Sequence, residues 1–272
     1  MFAGIPSGYC SQGRVLISPL LVKLTLAPGL IASVSVLQRR WGPSIGGMLT
    51  GTPVMAGPVL LALALDHDER FAGAAAGAGL QALIAVAAFI AAYAAAAARW
   101  GLPWLASLAV AFAAYAVAIL LIMEFPLGLT GSFVCTMAAQ WLALRSMPGR
   151  RDGDPLKRTG PPWWDIPLRM ALAAALVVAV AALADAAGAR LSGLMTPFPI
   201  ATTVLVVFTH RHDGAAAAAG FLRGLILGMS SLAVFFAVAS AALPAMGLAA
   251  GFLWSAVASL AVSTLVWWQS RR

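Results

Sequence analysis

Between Phe71 and Ala98 the chain carries no charged residue, and the same is true from Leu102 to Met123 and from Gly224 to Trp268. Runs of this length exceed the roughly 20 apolar residues a helix needs to cross the hydrocarbon of a bilayer. A helix on the surface of a water-soluble domain would instead show a polar face. Composition agrees: 62% of residues are hydrophobic and 10% charged, against about half and a quarter in soluble domains. The runs are rich in Ala and Leu and lack the period-two alternation of a membrane β-barrel strand. The fold class implied is all-α, a polytopic transmembrane helical bundle.

Nine spans are expected, at about Val15–Leu37, Ser44–Leu65, Phe71–Ala98, Leu102–Met123, Leu127–Met147, Asp165–Ala187, Leu191–Thr209, Ala215–Leu243 and Ala245–Trp268. The Pro/Gly-rich segment 148–162 forbids regular structure and divides the chain into a first repeat (1–147), a cytoplasmic linker and a second repeat (163–272). Arg39, Arg40, Arg99, Arg145, Arg150, Arg151, Lys157, Arg158, Arg211, Arg271 and Arg272 then fall in loops on one side, and Arg14, Arg70 and Arg190 on the other. The positive-inside rule makes the first set cytoplasmic, with the N-terminus periplasmic and the C-terminus cytoplasmic. The net charge of +8 thus serves topology, and no nucleic-acid partner is expected. The opening residues lack the basic start and apolar run of a cleaved signal peptide. Cys10 and Cys135 suggest neither a disulfide nor a metal site.

One apolar span is unusual. From Trp41 to Glu69 it reads WGPSIGGMLTGTPVMAGPVLLALALDHDE, with Pro53 and Pro58 inside it, and an echo, AGARLSGLMTPFPIATTVLVVFTHRHD, runs from Ala187 to Asp213. One constant shift superposes Gly42 on Gly188, Gly47 on Gly193, Thr50 on Thr196, Pro53 on Pro199 and Lys23 on Arg169. Five spans in the first half make the repeats antiparallel, five plus four. Such inverted repeats are common in secondary transporters, whose sites lie between the halves. The motif resembles that of a group of bacterial inner-membrane proteins of unassigned function, and the duplication is similar in architecture to small carriers of the drug/metabolite transporter superfamily. That resemblance implies a carrier fold and supplies no substrate.

Lys23 and Arg169 sit inside their spans at matching positions. A cation in hydrocarbon is unfavourable by several kcal/mol, so it faces a cavity or snorkels to the headgroups. Arg223 offers a planar fork for an anion, or a partner for Asp213; with a small deletion it aligns with Gln81. A proline frees the carbonyl one turn earlier, which a membrane tolerates chiefly at a cavity wall. Thr50, Thr52, Pro53, Thr196, Pro197, Pro199, Thr202 and Thr203 are therefore candidate lining residues, with a packing kink as the bland alternative. His67 with its acidic neighbours, and His210 with His212, are read as solvated loops, with gating or pH sensing by His210 and His212 left open. No catalytic motif, metal site or cofactor is expected, and the chain is not read as an enzyme. The function that follows is a secondary transporter or exporter of a small anionic or zwitterionic metabolite, with Lys23, Arg169 and Arg223 attracting the anion. A lipid-handling protein and a non-catalytic membrane subunit are the alternatives. The lipid bilayer is the expected partner, and homo-oligomerisation is left open.

Overall fold

The computed structural model describes residues 19–54, 56–66, 68–125, 127–147, 164–176, 178–179 and 199–270. Every element among them is helical: α1 Pro19–Trp41, α2 Pro43–Thr50, α3 Ala56–Asp66, α4 Glu69–Ala98, α5 Trp104–Glu124, α6 Leu129–Ser146, α7 over 165–176, α8 Ile200–Asp213 and α9 Ala215–Ser270. Among the described residues, three helices are long and apolar enough to cross a membrane: Glu69–Ala98, Trp104–Glu124 and Ala215–Gln269. That is fewer than the nine expected spans, for local reasons. The second expected span is broken into α2 and α3 by the turn from Gly51 to Val54, and most of the chain between α7 and α8 lies outside the described residues.

The break in the second span falls at the expected TGTPV. Pro53 cannot donate a backbone hydrogen bond, and Thr52 donates instead from both N–H and Oγ1 to the carbonyl of Leu49. Gly51 remains bonded to Gly47 O, so α2 ends by tightening and α3 restarts one turn later.

The last element also departs from a straight helix. Gly247 takes φ 78°, a Cβ on Gly251 would lie 3.0 Å from the backbone nitrogen of Leu243, and the rings of Phe235 and Phe252 lie 6.4 Å apart. Residues eight apart in a continuous helix are about 12 Å apart along its axis. The chain therefore reverses at Pro244–Gly247, giving α9 two arms that match the two separate spans expected from Ala215 to Trp268.

α4 is the central column. Leu80, Phe89, Ile90 and Tyr93 are fully buried and pack against α5, α6 and the first arm of α9. Its opening glycines lie on the outer part of that arm, Gly73 against Pro244 and Gly77 against Ser240. A closer contact joins α2 to α9: a Cβ on Gly47 would sit 1.9 Å from Phe221 O, and one on Gly224 1.9 Å from Ser44 O. Gly51 and Gly228 repeat the arrangement one turn on. These are small-xxx-small pairs on both partners, the spacing that lets membrane helices touch backbone to backbone. On the outer surface of the bundle, Leu105, Val117, Leu120 and Leu121 of α5 and Leu253, Trp254 and Leu260 of α9 are exposed.

Candidate functional site

Two glycines with positive φ turn the chain sharply at one end of the bundle. Gly42 (φ 95°) joins α1 to α2, and Gly214 (φ 90°) joins α8 to α9; a side chain would strain both conformations. Each donates its N–H back one turn, to Gln38 O and His210 O. These turns bring the ends of α1 and α8 beside the start of α7. α8 leads towards this end and α2–α3 leads away from it, so the two motif segments run in opposite directions.

Asp165, 0% exposed, is the centre of this end. Its Oδ2 accepts from Arg39 Nη2 at 2.6 Å and lies 3.0 Å from Arg169 Nε. His212 Nε2 stands 3.3 Å from Oδ1. Neither Arg169 Nε nor Oδ1 makes an aligned hydrogen bond. The guanidinium of Arg169 lies 4.9 Å over the Phe208 ring, whose other neighbour is the stacked ring of His212 at 6.0 Å. Beside the cluster, Gln38 Nε2 donates to Thr209 Oγ1 at 2.6 Å, and Thr209 donates to Leu205 O. Tyr93 Oη and His210 Nδ1 are hydrogen-bonded at 3.1 Å. Burial pushes the His210 imidazole below the ordinary histidine range. It pushes the Asp213 carboxyl up, against the pull of Arg169 and His212.

Further along the α1–α8 seam lies a cavity of about 140 Å³. It is walled by Leu30, Ile31, Ser33, Val34 and Leu37 of α1, by Leu49, Thr50 and Val54 around the break, and by Ala201 and Leu205 of α8. Both copies of the motif therefore contribute to one apolar space. The charged cluster begins two residues beyond Leu37, at Arg39.

The residues expected to form one site are distributed differently. Arg169 is neutralised by Asp165 and does not stand free in a cavity. Arg223 is exposed on α9 and makes no ion pair among the described residues. Gln81 Nε2 is used in packing, donating to Leu127 O and Ser132 Oγ. Thr50 lines the cavity but donates Oγ1 to Gly46 O. Pro53 lies in the break, partly exposed, and Pro199 caps α8. Thr202 and Thr203 are buried, and Thr203 Oγ1 has no hydrogen-bond partner. The Lys23 side chain, Thr196, Pro197 and His67 lie outside the described residues. His210 and His212 stand in the last turn of α8 and pack inward, not in a solvated loop as expected, because the helix continues to Asp213 before Gly214 stops it.

Sequence reasoning missed Asp165, read as a span end, and Arg39, read only as a topology signal. The i,i+4 spacing of Asp165 and Arg169 was a usable signal, since such residues face each other on a helix. No family model, curated protein or solved structure matches the chain.

Proposed function

We propose that the chain is a secondary carrier of the bacterial inner membrane, built from two inverted repeats of five and four spans, with the N-terminus periplasmic and the C-terminus cytoplasmic. It moves a small molecule with a compact apolar body and an anionic or zwitterionic group. The observation that carries this reading is the cavity shared by the two motif segments, Thr50 and Val54 from one, Ala201 and Leu205 from the other. Antiparallel repeats place a carrier's site between its halves, and these segments are antiparallel.

The magnitude of the cavity narrows the cargo. At about 140 Å³ it is close to the roughly 150 Å³ apolar cavity that accepts benzene, and below the roughly 300–1,000 Å³ of larger ligand sites. An aryl ring or a short branched alkyl group fits; a whole acyl chain does not. The lining explains why an anion alone is a poor cargo here: it would be desolvated against apolar walls without a partner. An anionic group is better placed at the Gln38–Arg39 edge. The reading assigns no covalent chemistry.

The apolar lining also favours lipid handling as a second reading, and one experiment separates the two. Proteoliposomes are assayed for uptake of labelled aryl and branched-alkyl carboxylates, and in parallel for movement of a fluorescent phospholipid between leaflets. Leu205→Trp fills the cavity, and uptake of the carboxylates is expected to fall about tenfold or more, as misplaced substrate does. Uptake indifferent to both Leu205→Trp and Val34→Trp would remove the cavity from the mechanism. Phospholipid movement without carboxylate uptake would establish the lipid reading instead.

A further inference from the structure

Every ion pair among the described residues is centred on Asp165, which leaves Arg99 and Arg145 without a carboxylate partner there. The two share one corner, where α4 and α6 end. Arg99 directly follows α4, and its Nη2 donates at 2.8 Å to the carbonyl of Ser146, the last residue of α6. That bond satisfies a carbonyl the helix end would otherwise leave open, so Arg145 is not needed as the cap. Its guanidinium instead folds back one turn over the Trp141 ring, 4.7 Å from the centroid, a cation–π distance. Both arginines are exposed, as are Trp100 and Trp141 beside them.

The rest of α6 shows which surroundings this corner meets. Its inward face is polar: Ser132, Thr136 and Gln140 are buried, with Thr136 donating to Leu80 O of α4 and Gln140 to Met229 O of α9. Its outward face is apolar. After the first turn the exposed residues are Val134, Cys135, Ala138, Trp141, Leu142 and Arg145, a helical spacing that lays them in one stripe. Polar inside and apolar outside reverses the pattern of a surface helix in water, and α6 packs on α4, which is long and apolar enough to span a membrane. From Val134 to Arg145 the stripe measures about 16 Å along the axis, roughly half of a hydrocarbon core about 30 Å thick. That is the depth of one leaflet.

We propose that the outer face of α6 binds one anionic phospholipid, its phosphate held by Arg145 with Arg99 beside it and an acyl chain laid along Val134, Ala138 and Leu142. The guanidinium fork suits phosphate oxygens, and indoles favour the headgroup boundary. An occupant must be apolar over one leaflet and anionic at a single end, which describes this lipid. Inorganic phosphate would meet the arginines and leave the stripe unused. A second copy of this chain, related by a two-fold axis along the membrane normal, would set Arg145 at the same depth as its own copy, which like charge opposes. The inference rests on the membrane placement of α4 and α6 and not on the carrier reading.

Photocrosslinking of the full-length protein in phosphatidylcholine nanodiscs tests it. A trace of phosphatidylglycerol or of phosphatidylcholine carries a mid-chain diazirine, and adducts within 134–145 are quantified by mass spectrometry. The phosphatidylglycerol probe is expected to label that stretch about fivefold more than the phosphatidylcholine probe, the factor of one arginine near an anionic headgroup. Arg145→Gln and Arg99→Gln should each reduce the preference. Arg211→Gln removes an equally exposed charge from the last turn of α8 and should leave it unchanged. The proposal is overturned if the two probes label equally, or if Arg145→Gln keeps the preference. It is also overturned if Arg211→Gln removes the preference, since net charge alone would then draw the lipid, or if inorganic phosphate at constant ionic strength abolishes it. None of these outcomes depends on cargo flux, so the lipid site and the carrier assignment fail separately.

Discussion

At the scale of single residues, the balance around Asp165 is what the fold can least afford to lose. Removing one partner from a buried ion pair strands the other, typically at about 3–5 kcal/mol. Asp165→Ala is therefore expected to lower the unfolding free energy by about 3 kcal/mol, measured by thermal and denaturant unfolding in detergent, and Arg39→Ala by less, because its side chain is 33% exposed. Acid should expose a different member. The folded-state value of His210 is lowered, so below the ordinary value near 6.5 the unfolded chain binds more protons. This contribution is full above about pH 6.5 and is lost as pH falls through the folded-state value. His210→Gln should flatten that acid limb. The sign for Asp213 is opposite: a raised carboxyl means that ionisation weakens the fold as pH rises through its folded-state value. Asp213→Asn is expected to be at least as stable as wild type at neutral pH in the same unfolding series. Arg169 was visible in the sequence as a cation inside its span at the position matching Lys23. The residues that α1 and α8 bring to its partner Asp165 were not, because pairing across long stretches of chain leaves no periodic trace in one sequence.

At the scale of elements, the glycines of α2 and α9 decide how closely two helices approach. A Cβ at Gly47 or Gly224 would meet backbone atoms at 1.9 Å, and backbone cannot swing aside as a side chain can. Gly224→Ala should destabilise the protein by about 3 kcal/mol or more, the upper end of overpacking. Gly220 lies one turn earlier on the same helix with nothing within 4 Å of its Cβ position. There the Ala substitution should be neutral or stabilising by up to about 1 kcal/mol. Midpoints of thermal unfolding for the two variants make the comparison. The broken second span was legible from Gly51, Thr52 and Pro53, since proline and glycine act on local backbone geometry. The Gly47–Gly51 and Gly224–Gly228 spacings were equally present in the sequence, but such spacing says that a helix can be approached closely without saying by which partner.

At the scale of the whole molecule, contacts gather the predicted cytoplasmic ends. Arg39 and His212 both meet Asp165, Tyr93 meets His210, and Arg99 Nη2 donates to Ser146 O. The opposite end collects Gly73 against Pro244 and Gln81 against the Leu127 carbonyl. Reporter fusions at Asp68 and Asp213 should therefore report opposite compartments; a common side for both would remove the inverted arrangement. The helical class followed directly from the uncharged runs. The site did not, because the lining positions Val34, Leu49 and Leu205 are ordinary apolar residues, distinguished only by the neighbours that folding brings to them.

The glycine contact between α2 and α9 also divides the molecule along a different line from its sequence. α2 is clasped by the second half of the chain, whereas α3, just past the Gly51–Val54 turn, packs on α4 of the first half. The four-residue turn thus carries the chain from a helix held by the second half to one packed on the first. Thr50 and Val54, at the two ends of that turn, both line the cavity, so a change in the angle at which α3 leaves α2 alters the shape of the cavity itself.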